Sequence, residues 1–148
     1  MKKIGILIVI LFVVILAMIS CKKQRNYEIP FVADDVESIT VSIPEELKCK
    51  VISDANGIQY LLSLFEKMNV QSLYRDQQDL GLEGAFGNTY IFQLSDGTEL
   101  EVHAVHLRYY KVLFVDENGT KYLVRNFNPQ KIWNLLDYEI QEYEHNPS

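Results

Sequence analysis

The groups in this chain that could do chemistry are two cysteines, three histidines and twenty carboxylates. His103 and His106 are three apart, a spacing that would share one side of a helix. They fall in an alternating segment that reads as strand, where odd and even positions face opposite ways. With no HExxH and no cysteine pair, no metal site is expected. Glu99 and Glu101 share one face of that same segment and could act as a carboxylate pair. Among twenty acids such pairs arise by chance and are usually solvated. No G-x-S-x-G elbow is present to activate a serine. Gly81, Gly84 and Gly87 recur at intervals of three, but no Lys-Ser or Lys-Thr follows and Glu83 would repel an anion, so this is not a phosphate loop. The segment from Asp76 to Asn88 reads instead as a connector that could present Leu82 and Phe86 to a partner. The expectation is a noncatalytic protein without a cofactor.

Cysteine placement is more informative than cysteine number. Lys2 and Lys3 precede an uncharged run from Ile4 to Ile19, then Ser20 and Cys21. A basic start, an apolar stretch and a small residue at its end form a secretory signal. Met18-Ile19-Ser20-Cys21 resembles the lipobox of bacterial lipoproteins, with Met18 and Ile19 where Leu and Ala are commoner. The resemblance implies cleavage after Ser20 and a diacylglycerol on the sulfur of Cys21. It also implies a place on the extracytoplasmic face of the cell membrane, held by lipid. The short, lysine-led signal is similar to those of small lipoproteins of Gram-positive bacteria. An uncleaved signal anchor is the rival, because Lys22, Lys23 and Arg25 follow the apolar run. Cys49 would then be the one remaining thiol, unable to form an intramolecular disulfide. Flanked by Lys48 and Lys50 on a strand, it reads as a buried, inert residue whose lysine neighbours point the other way.

Charge narrows the partners. The formal charge is −6, and losing Lys2 and Lys3 with the signal takes it to −8. An acidic domain lacks the basic face that nucleic acid requires. The membrane, through Cys21, and a protein or other envelope component are the expected partners.

The elements follow from periodicity. Residues 21–35 show none and read as the acylated cysteine and a tether of up to roughly 45 Å. Residues 36–143 form the domain, and 144–148 a polar tail. Ile39, Val41 and Ile43 alternate with Ser38, Thr40 and Ser42, so Glu37–Ile43 is a half-buried strand. Pro44 turns the chain into a second strand, Leu47–Ile52. Asp54 caps a helix over 54–68 whose stripe is Ile58, Leu61, Leu62, Phe65 and Met68. Gly57 should weaken its first turn by about 1 kcal/mol relative to Ala. Val70–Arg75 is a short strand. Asp96-Gly97 and Asp116–Gly119 are hairpin turns joining strands near 89–94, 98–105, 109–115 and 121–124. Asn128 caps a last helix over 128–143, with Pro129 at its first position. The fold expected is α+β: an antiparallel sheet of five to seven strands in the order ββα, β-meander, C-terminal α, with two helices on one face. Nine Tyr, seven Phe and one Trp leave room for an aromatic patch on the sheet's open face. That face or the Gly81–Gly87 loop is the expected binding surface. A small envelope hydrolase and a single-pass regulator are the alternatives.

Overall fold

The computed structural model describes residues 25–73, 87–107 and 112–143. Residues 1–24, among them Ser20 and Cys21, most of the segment Asp76–Asn88, and Tyr109 and Tyr110 lie outside the described residues. The strands are β1 (Arg25–Asn26), β2 (Val36–Ile43), β3 (Lys48–Ile52), β4 (Asn69–Leu73), β5 (Gly87–Leu94), β6 (Glu99–His106), β7 (Val112–Val115), β8 (Lys121–Arg125) and β9 (Gln141–Glu142). The helices are α1 (Ala55–Glu66) and α2 (Pro129–Leu135). One antiparallel sheet runs β1-β4-β8-β7-β6-β5-β2-β3-β9. The α+β class holds. The sheet has nine strands among the described residues rather than five to seven, because two-residue strands close both edges.

Local chemistry fixes the hairpins. Gly97 (φ +85°) and Gly119 (φ +75°) take left-handed conformations, which cost glycine little. Asp96 Oδ1 accepts from the Thr98 N–H at 2.8 Å, and Asp116 Oδ1 accepts from Asn118 and Thr120. The turn after β2 is a 3-10 segment at Pro44–Glu46, closed by Leu47 at φ 51°.

The helix layer covers one face. Asp54 Oδ1 accepts from the Gly57 N–H at 2.8 Å, and Ile58, Leu61, Leu62 and Phe65 are buried. Phe65 is the hub of the core. Its ring lies 5.1 Å from Tyr90, 5.5 Å from Phe92, 6.0 Å from Phe114 and 4.9 Å from Phe127. These edge-to-face and tilted contacts add to the burial energy.

Three expectations are corrected. The segment 25–35 is not a free tether: β1 pairs with β4, and Tyr27, Ile29 and Phe31 pack on the core. The Tyr27 ring meets Phe114 edge-on at 4.8 Å and its hydroxyl donates to Glu117 at 2.8 Å. Apolar side chains in an otherwise aperiodic stretch thus bury themselves without a repeat to announce it. The last helix ends at Leu135, not 143, since Leu136 turns extended (φ −76°, ψ 105°). Beyond it the Tyr138 hydroxyl donates to Asp54 and the chain joins β3 as β9. Gly57 is not merely a weak point: a Cβ there would lie 1.9 Å from the Tyr138 hydroxyl oxygen and 2.7 Å from Ile52 Cγ2.

Candidate functional site

Polar groups gather on both sides of the sheet. On the open face, strand pairing sets Cys49, Ser42, Thr89 and His103 side by side on four adjacent strands. Each is there because alternation sends its neighbours into the core. Thr89 Oγ1 and His103 Nδ1 share a hydrogen bond at 3.0 Å, and His103 Nε2 lies 3.6 Å from Glu101 Oε1. Glu101 stands two residues from His103 on β6 and so on the same face. A hydroxyl, an imidazole and a carboxylate in line have the composition of a nucleophile and its base. The imidazole and the carboxylate side chains are nearly half exposed, where an ion pair is worth little. Thr89 itself is buried, 5% exposed, so its hydroxyl is not presented to a substrate. Burial raises the pKa of the Tyr143 hydroxyl at the edge of this row. Burial likewise pushes the Cys49 thiol up, which keeps it protonated and unreactive. The inert reading of Cys49 matches its 5% exposure. Lys50 points to the other face as expected, but it is not solvated.

Lys50 serves the helix layer. It is 7% exposed, and its Nζ donates to the Trp133 carbonyl at 3.1 Å and to the Leu136 carbonyl. It also lies 4.8 Å from the Trp133 ring centroid. A helix end leaves carbonyls without partners, and here a strand lysine satisfies two of them while placing positive charge at the negative end of α2. This anchors α2 at a fixed place on the sheet.

That placement leaves a cleft of about 470 Å³ between the helices. Tyr60 and Leu64, four apart on α1, form one wall, and Lys131, Ile132 and Leu135 of α2 form the other. The floor is Val112, Phe127 and His106, with His106 and Val112 paired across β6 and β7. Asn126 and Asn128 complete the rim. Asn126 holds a left-handed φ of 60°, a conformation that costs a non-glycine residue energy and is found enriched at ligand sites. Asn128 Oδ1 is used in capping α2, accepting from the Lys131 N–H at 2.9 Å. Tyr60 and Leu135 are among the few large apolar side chains left exposed, at 43% and 54%. The size lies within the range of small-molecule sites, about 300–1,000 Å³.

The residues singled out from the sequence are therefore scattered. His103 and His106 do diverge, the first to the open face and the second to the cleft floor. Glu101 meets His103, as does Thr89, which no motif had marked. Gly87 is not in the connector: it is the buried first residue of β5, paired with Val105, with too little room for a Cβ to enter freely. Ser20, Cys21, Gly81, Leu82, Gly84 and Phe86 lie outside the described residues. The aromatic residues on described strands, Tyr90, Phe92, Phe114 and Tyr122, all pack on the helix side, so they form no patch on the open face. Sequence reading missed Tyr60, Asn126, Lys131 and Leu135, which come from separate segments and share no motif. Among the described residues, no group of His, Cys, Asp and Glu could hold a metal ion, and no helix is long and apolar enough to cross a membrane. No protein-family model, curated protein or solved structure matches this chain.

Proposed function

We propose that the chain is a lipid-anchored, extracytoplasmic binding domain without catalytic activity, held to the membrane through Cys21 and engaging its partner through the interhelical cleft. One observation carries the binding part: the sizeable concavity is lined by apolar side chains and a few hydrogen-bonding groups, the usual make-up of a recognition site. The connector stretch Gly81–Phe86, with Leu82 and Phe86, is a second contact surface in this reading. The lipid anchor rests on the sequence resemblance alone.

The Thr89–His103–Glu101 line favours a second reading, a small hydrolase. It is the weaker one, because the Thr89 hydroxyl is buried.

Complementation of a deletion strain separates the two. Leu135→Glu should fail to restore the wild-type phenotype, whereas Thr89→Val and His103→Ala should restore it. Failure of the latter pair alongside success of Leu135→Glu would replace binding with hydrolysis. Palmitate labelling lost on Cys21→Ala tests the anchor, and retention of residues 1–20 in the mature protein would refute it.

A further inference from the structure

We infer that the interhelical cleft takes a small amphipathic acid, its apolar body on Val112, Phe127 and Ile132 and its carboxylate at Lys131 and His106. The inference rests on the binding role proposed above and names the ligand's chemistry.

Charge argues first. The chain carries twenty acids against fourteen bases, yet none of the ten residues lining the cleft is acidic. A second hollow, about 360 Å³ on the other side of α1, contains both Asp34 and Glu37. The absence of carboxylates is thus a local property of the interhelical cleft. An anion entering it meets no lining charge of its own sign.

Unused donors argue second. The Lys131 ammonium and the His106 ring have no side-chain partner among the described residues, although the lysine's own N–H caps to Asn128. Lys131 offers three N–H donors and no acceptor, and a neutral imidazole still keeps one N–H. The Asn126 and Asn128 side-chain amides and the Tyr60 hydroxyl add neutral donors at the rim. Charge-assisted bonds to a carboxylate are roughly twice as strong as neutral ones.

Shape argues third. His106 comes from the sheet and Lys131 from α2, and the same cleft is lined by Leu64, Val112, Phe127 and Ile132. A ligand whose carboxylate reaches these donors has apolar surface beside it to cover. A fully polar anion would leave it wet, and a hydrocarbon would leave both donors unpaired.

The test compares three ligands of one shape and three charges: 3-phenylpropionate, 3-phenylpropanamide and 3-phenylpropylamine. Each is titrated into the full-length chain, methyl-labelled at Ile, Leu and Val, in maltoside micelles. The acid should shift the Val112, Ile132 and Leu64 methyls saturably and leave Leu123, on the opposite face, unmoved. The amide should bind about tenfold more weakly, the cost of one charge-assisted bond. Lys131→Glu should weaken the acid about tenfold and favour the amine, while Lys131→Arg should keep the preference for the acid. Equal binding of acid and amide, or indifference to Lys131→Glu, would overturn the anionic ligand while leaving the cleft as a binding site. If none of the three moves the cleft methyls, both the ligand and the cleft's part in binding are overturned.

Discussion

The two faces of the sheet divide the labour in an unexpected way. The open face holds the residue types that usually signal chemistry, a thiol, two hydroxyls, an imidazole and a carboxylate, set side by side by strand pairing. The helix-covered face holds few of them, yet it has the concavity. A thiol and two hydroxyls that are themselves buried are not presented to a substrate. A hollow with a few donors can recognise a ligand without transforming it. Depth is supplied by the helices, whose spacing over the sheet is set by Lys50 at one end of α2 and by Tyr138 and Asp54 at the start of α1.

If the helix-covered face carries the stability and the open face little of it, substitutions should rank accordingly. Phe65→Ala removes the ring that four others touch and should cost about 3–5 kcal/mol in denaturant unfolding. A loss under 1 kcal/mol would mean the aromatic cluster collapses around the gap. Lys50→Met leaves two carbonyls at the end of α2 without their donor and should cost about 1–3 kcal/mol. It should also loosen α2, seen as faster amide exchange there. Gly57→Ala should destabilise by about 1–2 kcal/mol, because overpacking against Tyr138 and Ile52 outweighs the helix preference for alanine. A gain in stability would show that Tyr138 moves aside freely. Thr89→Val removes one hydrogen bond on the open face and should cost about 1 kcal/mol or less. A larger loss would make the polar row structural.

The smallest effect is read through pH. Asp54 is held below its ordinary value of 3.8, chiefly by the Tyr138 hydroxyl and then by the Gly57 N–H. A carboxylate with a lowered folded-state value contributes stability that is fully present above 3.8 and fades as pH falls through the lower, folded value. Asp54→Asn should therefore flatten the acid limb of the unfolding curve below about pH 4. Asp96, held down by the Thr98 N–H, should leave a residual slope. An unchanged limb in the Asn variant would sever Asp54 from the tie between the two helices.

Much of this architecture was legible in the sequence. Ile39-Val41-Ile43, the Asp54 and Asn128 caps, Pro129 and the two Asp-Gly or Asn-Gly turns each act within a few residues, and each element formed where its local signal stood. What could not be read was contact across the fold. Tyr27 and Phe31 sit in a stretch without periodicity, so only the core they meet reveals their burial. Gly57 looked costly until Tyr138, eighty-one positions later, arrived over it. The role of Lys50 was not readable because the carbonyls it serves belong to another element. The cleft was invisible for the same reason: Tyr60, His106, Asn126 and Lys131 meet only once four segments are stacked.

If Cys21 carries the proposed lipid, the pairing of Arg25 and Asn26 with β4 would set the height of the domain above the bilayer. Three residues, Lys22, Lys23 and Gln24, separate it from Cys21. Four Cα steps span at most about 15 Å. Acyl chains on that sulfur would therefore hold the body of the protein close against the headgroups, like a limpet on rock. Whatever it captures would be met at the lipid–water boundary, not out in the wall or the medium.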